Sequence, residues 1–94
     1  MQWTEEILIN IERMAAAAFN LQDIADILEV DVNFLETNMA IKDNPFRKAY
    51  RKGFLQRQLE LRERIFKDAK NGSSPAQTIA NKLLTDVIIS QGLQ

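Results

Sequence analysis

The chain contains neither cysteine nor histidine, and its 94 residues include only three glycines, two prolines, one tryptophan and one tyrosine. Without cysteine there is no disulfide framework, zinc knuckle or thiol nucleophile. Without histidine there is no imidazole base, and the commonest ligands of zinc and iron are gone. A glycine-rich phosphate loop is also missing, and no Ser-His or Cys-His pair can be assembled. The longest purely apolar run, Met14 to Phe19, falls far short of the roughly 20 residues a bilayer requires. The opening Met1-Gln2-Trp3-Thr4-Glu5-Glu6 is acidic where a secretory signal would be basic. Asp23 with Asp26, and Glu60 with Glu63, share helix faces at three-residue spacing. They are read as solvated surface acids in preference to a divalent-cation site. These absences lead to the expectation of a cytoplasmic non-enzyme with no cofactor and no metal, a binding or assembly module.

Hydrophobic residues make up 46% of the chain and charged residues 27%, the composition of a folded globular protein. A domain of this length buries only roughly 60–65% of its unfolded surface, so an intersubunit interface would be a natural supplement. The net charge of −1 conceals a strong asymmetry. Residues 1–41 carry eight acids and one base, Arg13, whereas residues 42–70 carry ten bases and four acids. That division implies either an anionic partner for the basic segment or subunits packed acidic against basic. A solvated charged helix beside an acidic hairpin is the plainer alternative.

Periodicity and caps place five helices and predict an all-α fold. Thr4 caps the first, with Glu5 and Glu6 favourably near its N-terminal dipole. Ile7, Ile11, Met14, Ala15, Ala18 and Phe19 recur at three- and four-residue spacing on one face, up to Asn20. Asn20 begins a second helix carrying Ile24, Ala25, Ile27 and Leu28, and Asp31 caps a third bearing Phe34, Leu35 and Met39. Asn44-Pro45 starts a long helix reaching about Lys70, interrupted only by Gly53. Ser74-Pro75-Ala76-Gln77 has the pattern of a capping box for a last amphipathic helix. The β-branched run Val87-Ile88-Ile89 leaves a terminal strand open over residues 86–94. Residues 1–43 form an N-terminal hairpin segment and residues 44–94 an oligomerisation segment, within one compact unit.

Leu21 to Leu35 resembles the helix-turn-helix pattern. Ala25 is small where the helices must touch, and Ile24, Leu28, Val30 and Leu35 fill the angle between them. Glu29 stands where the turn usually has glycine. The outward positions of the second helix are Val32, Asn33, Glu36 and Thr37. There Asn33 could pair with an adenine edge, and Thr37 could meet a phosphate or a thymine methyl. The plainer alternative is a hairpin that packs in this way without entering DNA, since its acids repel phosphate. On the long helix, Phe46, Tyr50, Phe54 and Leu61 form one apolar stripe, flanked by Ala49 and Ile65, and Leu55, Leu59 and Phe66 form a second. The second stripe is the expected homo-oligomer interface. Lys42, Arg47, Lys48, Arg51 and Lys52 form a cationic head that fits phosphate contact or serves as a solubilising surface.

The order of these features resembles the small-terminase-related proteins of tailed phages and prophages. Asn44-Pro45-Phe46-Arg47-Lys48-Ala49-Tyr50-Arg51-Lys52-Gly53 contains an "Ala-Tyr-x-x-Gly" turn. Leu61-Arg62 follows, and Ala69-Lys70-Asn71-Gly72 precedes the final helix. The resemblance covers nearly the whole chain through short motifs. It implies a helix-turn-helix that recognises packaging-site double-stranded DNA, with Asn33 and Thr37 on the recognition helix. It further implies a ring assembled through later helices bearing Leu55, Leu59 and Phe66. A separate large subunit with ATPase and nuclease activity would receive the DNA, in the bacterial host cell. The competing readings are an assembly module without DNA binding and a helix-turn-helix transcriptional regulator, the latter disfavoured because the bases lie outside the motif.

Overall fold

Five helices and no strand make up the described residues, 1–92, of a computed structural model of the chain. They are α1 (Glu5–Ala16), α2 (Leu21–Leu28), α3 (Val32–Ala40), α4 (Pro45–Lys70) and α5 (Ser74–Gln91). None of these helices is long and apolar enough to cross a membrane. The Val87-Ile88-Ile89 run is helical, and of the stretch left open to strand only Leu93 and Gln94 lie outside the described residues.

Local chemistry accounts for the helix starts. Thr4 Oγ1 accepts from Ile7 N, Asn20 Oδ1 from Asp23 N, Asp31 Oδ1 from Asn33 N, and Asn44 Oδ1 from Phe46 N. Each satisfies an amide that has no partner inside its helix. The start of α5 differs from the expected capping box by one residue. Ser73, not Ser74, is the cap, its Oγ accepting from Ala76 N at 3.3 Å. Gln77 consequently does not return to the cap, and its amide donates to Ala69 O, bracing α5 against the end of α4.

The helix ends are less conventional. α1 stops at Ala16, short of the expected Asn20, because Ala18 turns into the left-handed region at φ 66°. Phe19 N then bonds Met14 O and Ala18 N bonds Ala15 O, which closes a Schellman motif and leaves Ala18 and Phe19 exposed. Glu29 does the same for α2 at φ 58°, with Val30 N bonded to Ala25 O. The ends of α4 and α5 use glycine instead, Gly72 at φ 100° and Gly92 at φ 67°.

The chain divides into two compact units, Met1–Arg57 and Gln58–Gln94. Sequence places a segment boundary between residues 43 and 44 and one compact unit overall, whereas the units divide later, within α4. The reason lies in the first unit's core, where Phe46 and Ala49 of α4 join Ile11, Ile24, Ala25 and Leu35. Gly53 is buried against α1: an added Cβ would lie 2.8 Å from the Glu12 carbonyl carbon and Cα. The glycine that weakens helix propensity is thus what lets two backbones touch. Trp3 stacks on Phe46 and Phe34 at 5.2 and 5.9 Å between ring centroids. Its indole N–H donates to Asn38 Oδ1 at the edge of this core.

The apolar stripes of α4 hold over part of their length. Phe46 is fully buried and Tyr50 half-buried, but Phe54 and Leu61 are exposed. In the second unit, only Ala76 and Ala80 of α5 are buried among the described residues. Leu59, Leu61, Phe66, Ile79, Leu84, Val87, Ile88 and Ile89 are all exposed there.

Candidate functional site

Pro45 starts α4 immediately after the turn that ends α3, and this brings Lys42 beside the first turns of the long helix. Residues 47, 48, 51, 52 and 55 recur at three- and four-residue spacing and so face one way. Lys42, Arg47, Lys48, Arg51, Lys52 and Leu55 together line a shallow basin of about 480 Å³. All five cations expected to contact phosphate therefore meet at one place.

They are not equivalent. Arg47 is half-buried and donates from Nη1 to the carbonyl of Met39 at 3.1 Å, so one arm of its guanidinium closes the C-terminus of α3. Lys52 Nζ lies 3.4 Å from Oε1 of the half-buried Glu12, with the lysine itself exposed, a surface pair that contributes little energy. Lys42, Lys48 and Arg51 are exposed and have no ion pair or side-chain hydrogen bond among the described residues. These three form the part of the basin open to an anion.

Asn33 and Thr37 lie on the outer face of α3, outside the basin. The Asn33 side chain is exposed. The Thr37 hydroxyl donates to Asn33 O at 2.9 Å, which occupies its proton but leaves its lone pairs available. Glu36 is exposed between them. Val32, expected on the outward face, is half-buried and packs against the core. A nine-residue helix is about 13 Å long, and the last turn of α3 borders the basin through the Arg47 contact. Asn33 stands at the opposite end of α3 from that contact.

Of the expected interface residues, Leu55 rims the basin and is 50% exposed. Leu59 and Phe66 belong to the second unit and are 59% and 38% exposed. Phe66 lines an apolar groove of about 230 Å³ with Leu83, Leu84, Val87 and Ile88, beneath Arg62.

Two features escape a reading of the sequence. The first is a polar knot around Asn38, whose Oδ1 accepts from Trp3 Nε1 and Asn44 Nδ2 while its own Nδ2 donates to Phe34 O. These contacts satisfy a side chain that is 8% exposed and tie the N-terminus to the α3–α4 turn. The second is an apolar groove of about 400 Å³ beside α1 and α2, floored by Met14, Ala17, Phe19, Ile27 and Leu28. Its one sequence signal is Ile27, an apolar residue off the buried stripe of α2. Comparison of the chain with known protein families, with curated proteins and with solved structures finds no match in any of the three.

Proposed function

We propose that the chain is a non-catalytic, oligomeric DNA-binding protein of small-terminase type, which positions double-stranded DNA for packaging and passes it to a large ATPase and nuclease subunit. In this reading α2, its turn and α3 act as the helix-turn-helix, with Asn33 and Thr37 facing base edges. The affinity comes from elsewhere. The observation that carries the reading is the gathering of Lys42, Lys48 and Arg51, exposed and unpaired, in a basin beside the end of α3. Phosphate contacts supply most non-specific affinity by releasing condensed counterions, and the exposed acids of α2 and α3 weaken whatever the base contacts add. Each subunit then binds feebly, and oligomerisation through the exposed apolar side chains of Leu55, Leu59 and Phe66 multiplies the contact.

Titration of a duplex at two salt concentrations tests this. Wild type binds with a steep salt dependence, losing about one unit of slope for each phosphate contact removed. The triple change Lys42→Gln, Lys48→Gln and Arg51→Gln abolishes binding, whereas Asn33→Ala alters only sequence preference. A wild-type protein with no affinity even at low salt would rule the reading out. The function is then that of a helical assembly module, the alternative that the exposed Asp23, Asp26 and Glu36 favour.

A further inference from the structure

The last helix is poorly suited to stand in water. Of the 18 residues of α5 only Lys82 and Asp86 are charged, and Ile79, Leu84, Val87, Ile88 and Ile89 are all exposed. Charge sorts these residues into two sides. At about 100° per residue, Lys82 and Asp86 share a side with Ile79 and Ile89, roughly opposite Leu84 and Ile88. On α4, Leu61 shares a side with the Arg64–Asp68 ion pair, roughly opposite Leu59 and Phe66. The groove of about 230 Å³ joins the two less charged sides, since Phe66 lines it together with Leu84 and Ile88. Arg62 is its one charged lining residue among the described residues. The hairpin of the second unit therefore has a solvated side and an apolar one.

The extent of the apolar side decides what can cover it. Leu59, Phe66, Leu84, Val87 and Ile88 are between 38% and 59% exposed. At roughly 200 Å² for a whole large side chain, they leave on the order of 450 Å² of apolar surface in water. A standard homodimer interface takes roughly 800 Å² from each partner and is about 65% apolar, so it needs about 500 Å². We infer that this side of the hairpin packs against the same side of a second copy, closing a four-helix bundle from two α4–α5 pairs. A second copy fits because its face is equally apolar and equally large. Arg62 does not oppose the contact: it is exposed, so its aliphatic stem can cover the groove while the guanidinium stays in water.

Because both copies use the same patch, the contact is isologous and stops at two. It deepens the oligomerisation in the DNA-binding reading and rests on that part of it alone. Lys42, Lys48 and Arg51 take no part, so each dimer offers two open basins to phosphate. The contact is apolar, and salt therefore separates the two events: it releases DNA and leaves the dimer.

Sedimentation equilibrium of the full chain without DNA, from low micromolar to submillimolar concentration, measures the association. Wild type reaches twice the monomer mass and no more, at low and at high salt. Leu84→Ala and Ile88→Lys each weaken the dimer at least roughly tenfold, since a substitution counts twice in a symmetric pair. Leu84 is exposed within its own unit and alanine is the better helix former, so the alanine variant keeps α5 folded. Circular dichroism at a dilution where wild type is itself monomeric checks this for both variants. Ile79→Lys, on the charged side of α5, leaves the dimer unchanged. So does the triple change Lys42→Gln, Lys48→Gln and Arg51→Gln that abolishes DNA binding. A monomeric wild type overturns the inference, as does mass that grows past two copies. A dimer that resists both Leu84→Ala and Ile88→Lys but yields to Leu55→Lys or Ile79→Lys overturns it too. That last result would leave oligomeric DNA binding standing, whereas an intact dimer without duplex affinity would remove the DNA reading alone.

Discussion

Gly53 shows how a single missing atom can decide a packing arrangement. Alanine in a helix interior is favoured over glycine by about 1 kcal/mol, so helix propensity alone predicts that Gly53→Ala stabilises. The environment reverses the sign. The added methyl group meets Glu12 backbone atoms, which cannot rotate away as a side chain would, and α1 must separate from α4. Overpacking of this kind costs typically 1–3 kcal/mol, and a backbone obstacle puts the cost at the upper end. The expected result is a net loss of about 2 kcal/mol, seen as a fall of order 10 °C in melting temperature. A variant that melts at or above wild type would mean that α1 and α4 do not meet at Gly53. Arg47 is a related case at the residue scale. Its charge invites a phosphate role, yet part of its guanidinium is bound to Met39 O. Tyr50 OH and Arg57 Nε likewise donate to Phe19 O and Ala16 O, beyond and at the end of α1. Three side chains of α4 thus serve carbonyls at, or just beyond, the ends of α1 and α3.

At the scale of elements, helices begin where the chain's own polar side chains allow and end where a left-handed residue can be tolerated. Asn20, Asp31 and Asn44 are legible as caps because the bond they make is two or three residues away. The ends of α1 and α2 are harder to read, since Ala18 and Glu29 hold positive φ values that disfavour any residue with a Cβ. They persist because the turns that follow are anchored: Val30 is half-buried against the core, and Tyr50 OH holds the Phe19 carbonyl. Glu29 is exposed, so its side chain can be removed without opening a cavity. Glu29→Gly should therefore stabilise the first unit by about 0.5–1 kcal/mol, as relief of left-handed strain outweighs the entropy glycine adds to the unfolded chain. Urea titration checks this, with Glu29→Ala as the control that retains the strain. Destabilisation by glycine would place the strain elsewhere.

On the scale of the whole molecule, the two units differ in what they bury. The first encloses Ile11, Ile24, Leu35 and Phe46 completely, a core able to stand against chain entropy. The second buries only Ala76 and Ala80 among its described residues, and a helical pair with so little interior is marginal in water. Amide exchange should show this directly. Protection in residues 58–92 is expected to fall well below that of residues 1–57 and to drop further on dilution, as association covering Leu59 and Phe66 is lost. Equal and concentration-independent protection across both units would show that α4 and α5 need no neighbour.

The all-α architecture, the order of the five helices and the clustering of cations over residues 42–52 follow from the sequence alone. Caps, proline and helical periodicity act over a few residues, and that range is written along the chain. What tertiary structure decided is which of these features face a partner. The stripe through Phe46 and Tyr50 is core at its start and open at Phe54 and Leu61. Ser73 takes the cap from Ser74, and Gln77 turns to Ala69 O instead. Of the five cations, Arg47 and Lys52 are drawn to Met39 O and Glu12, leaving Lys42, Lys48 and Arg51 open. Each of these outcomes depends on atoms brought close by the crossing of separate helices, and contacts of that kind leave no periodic mark in a sequence.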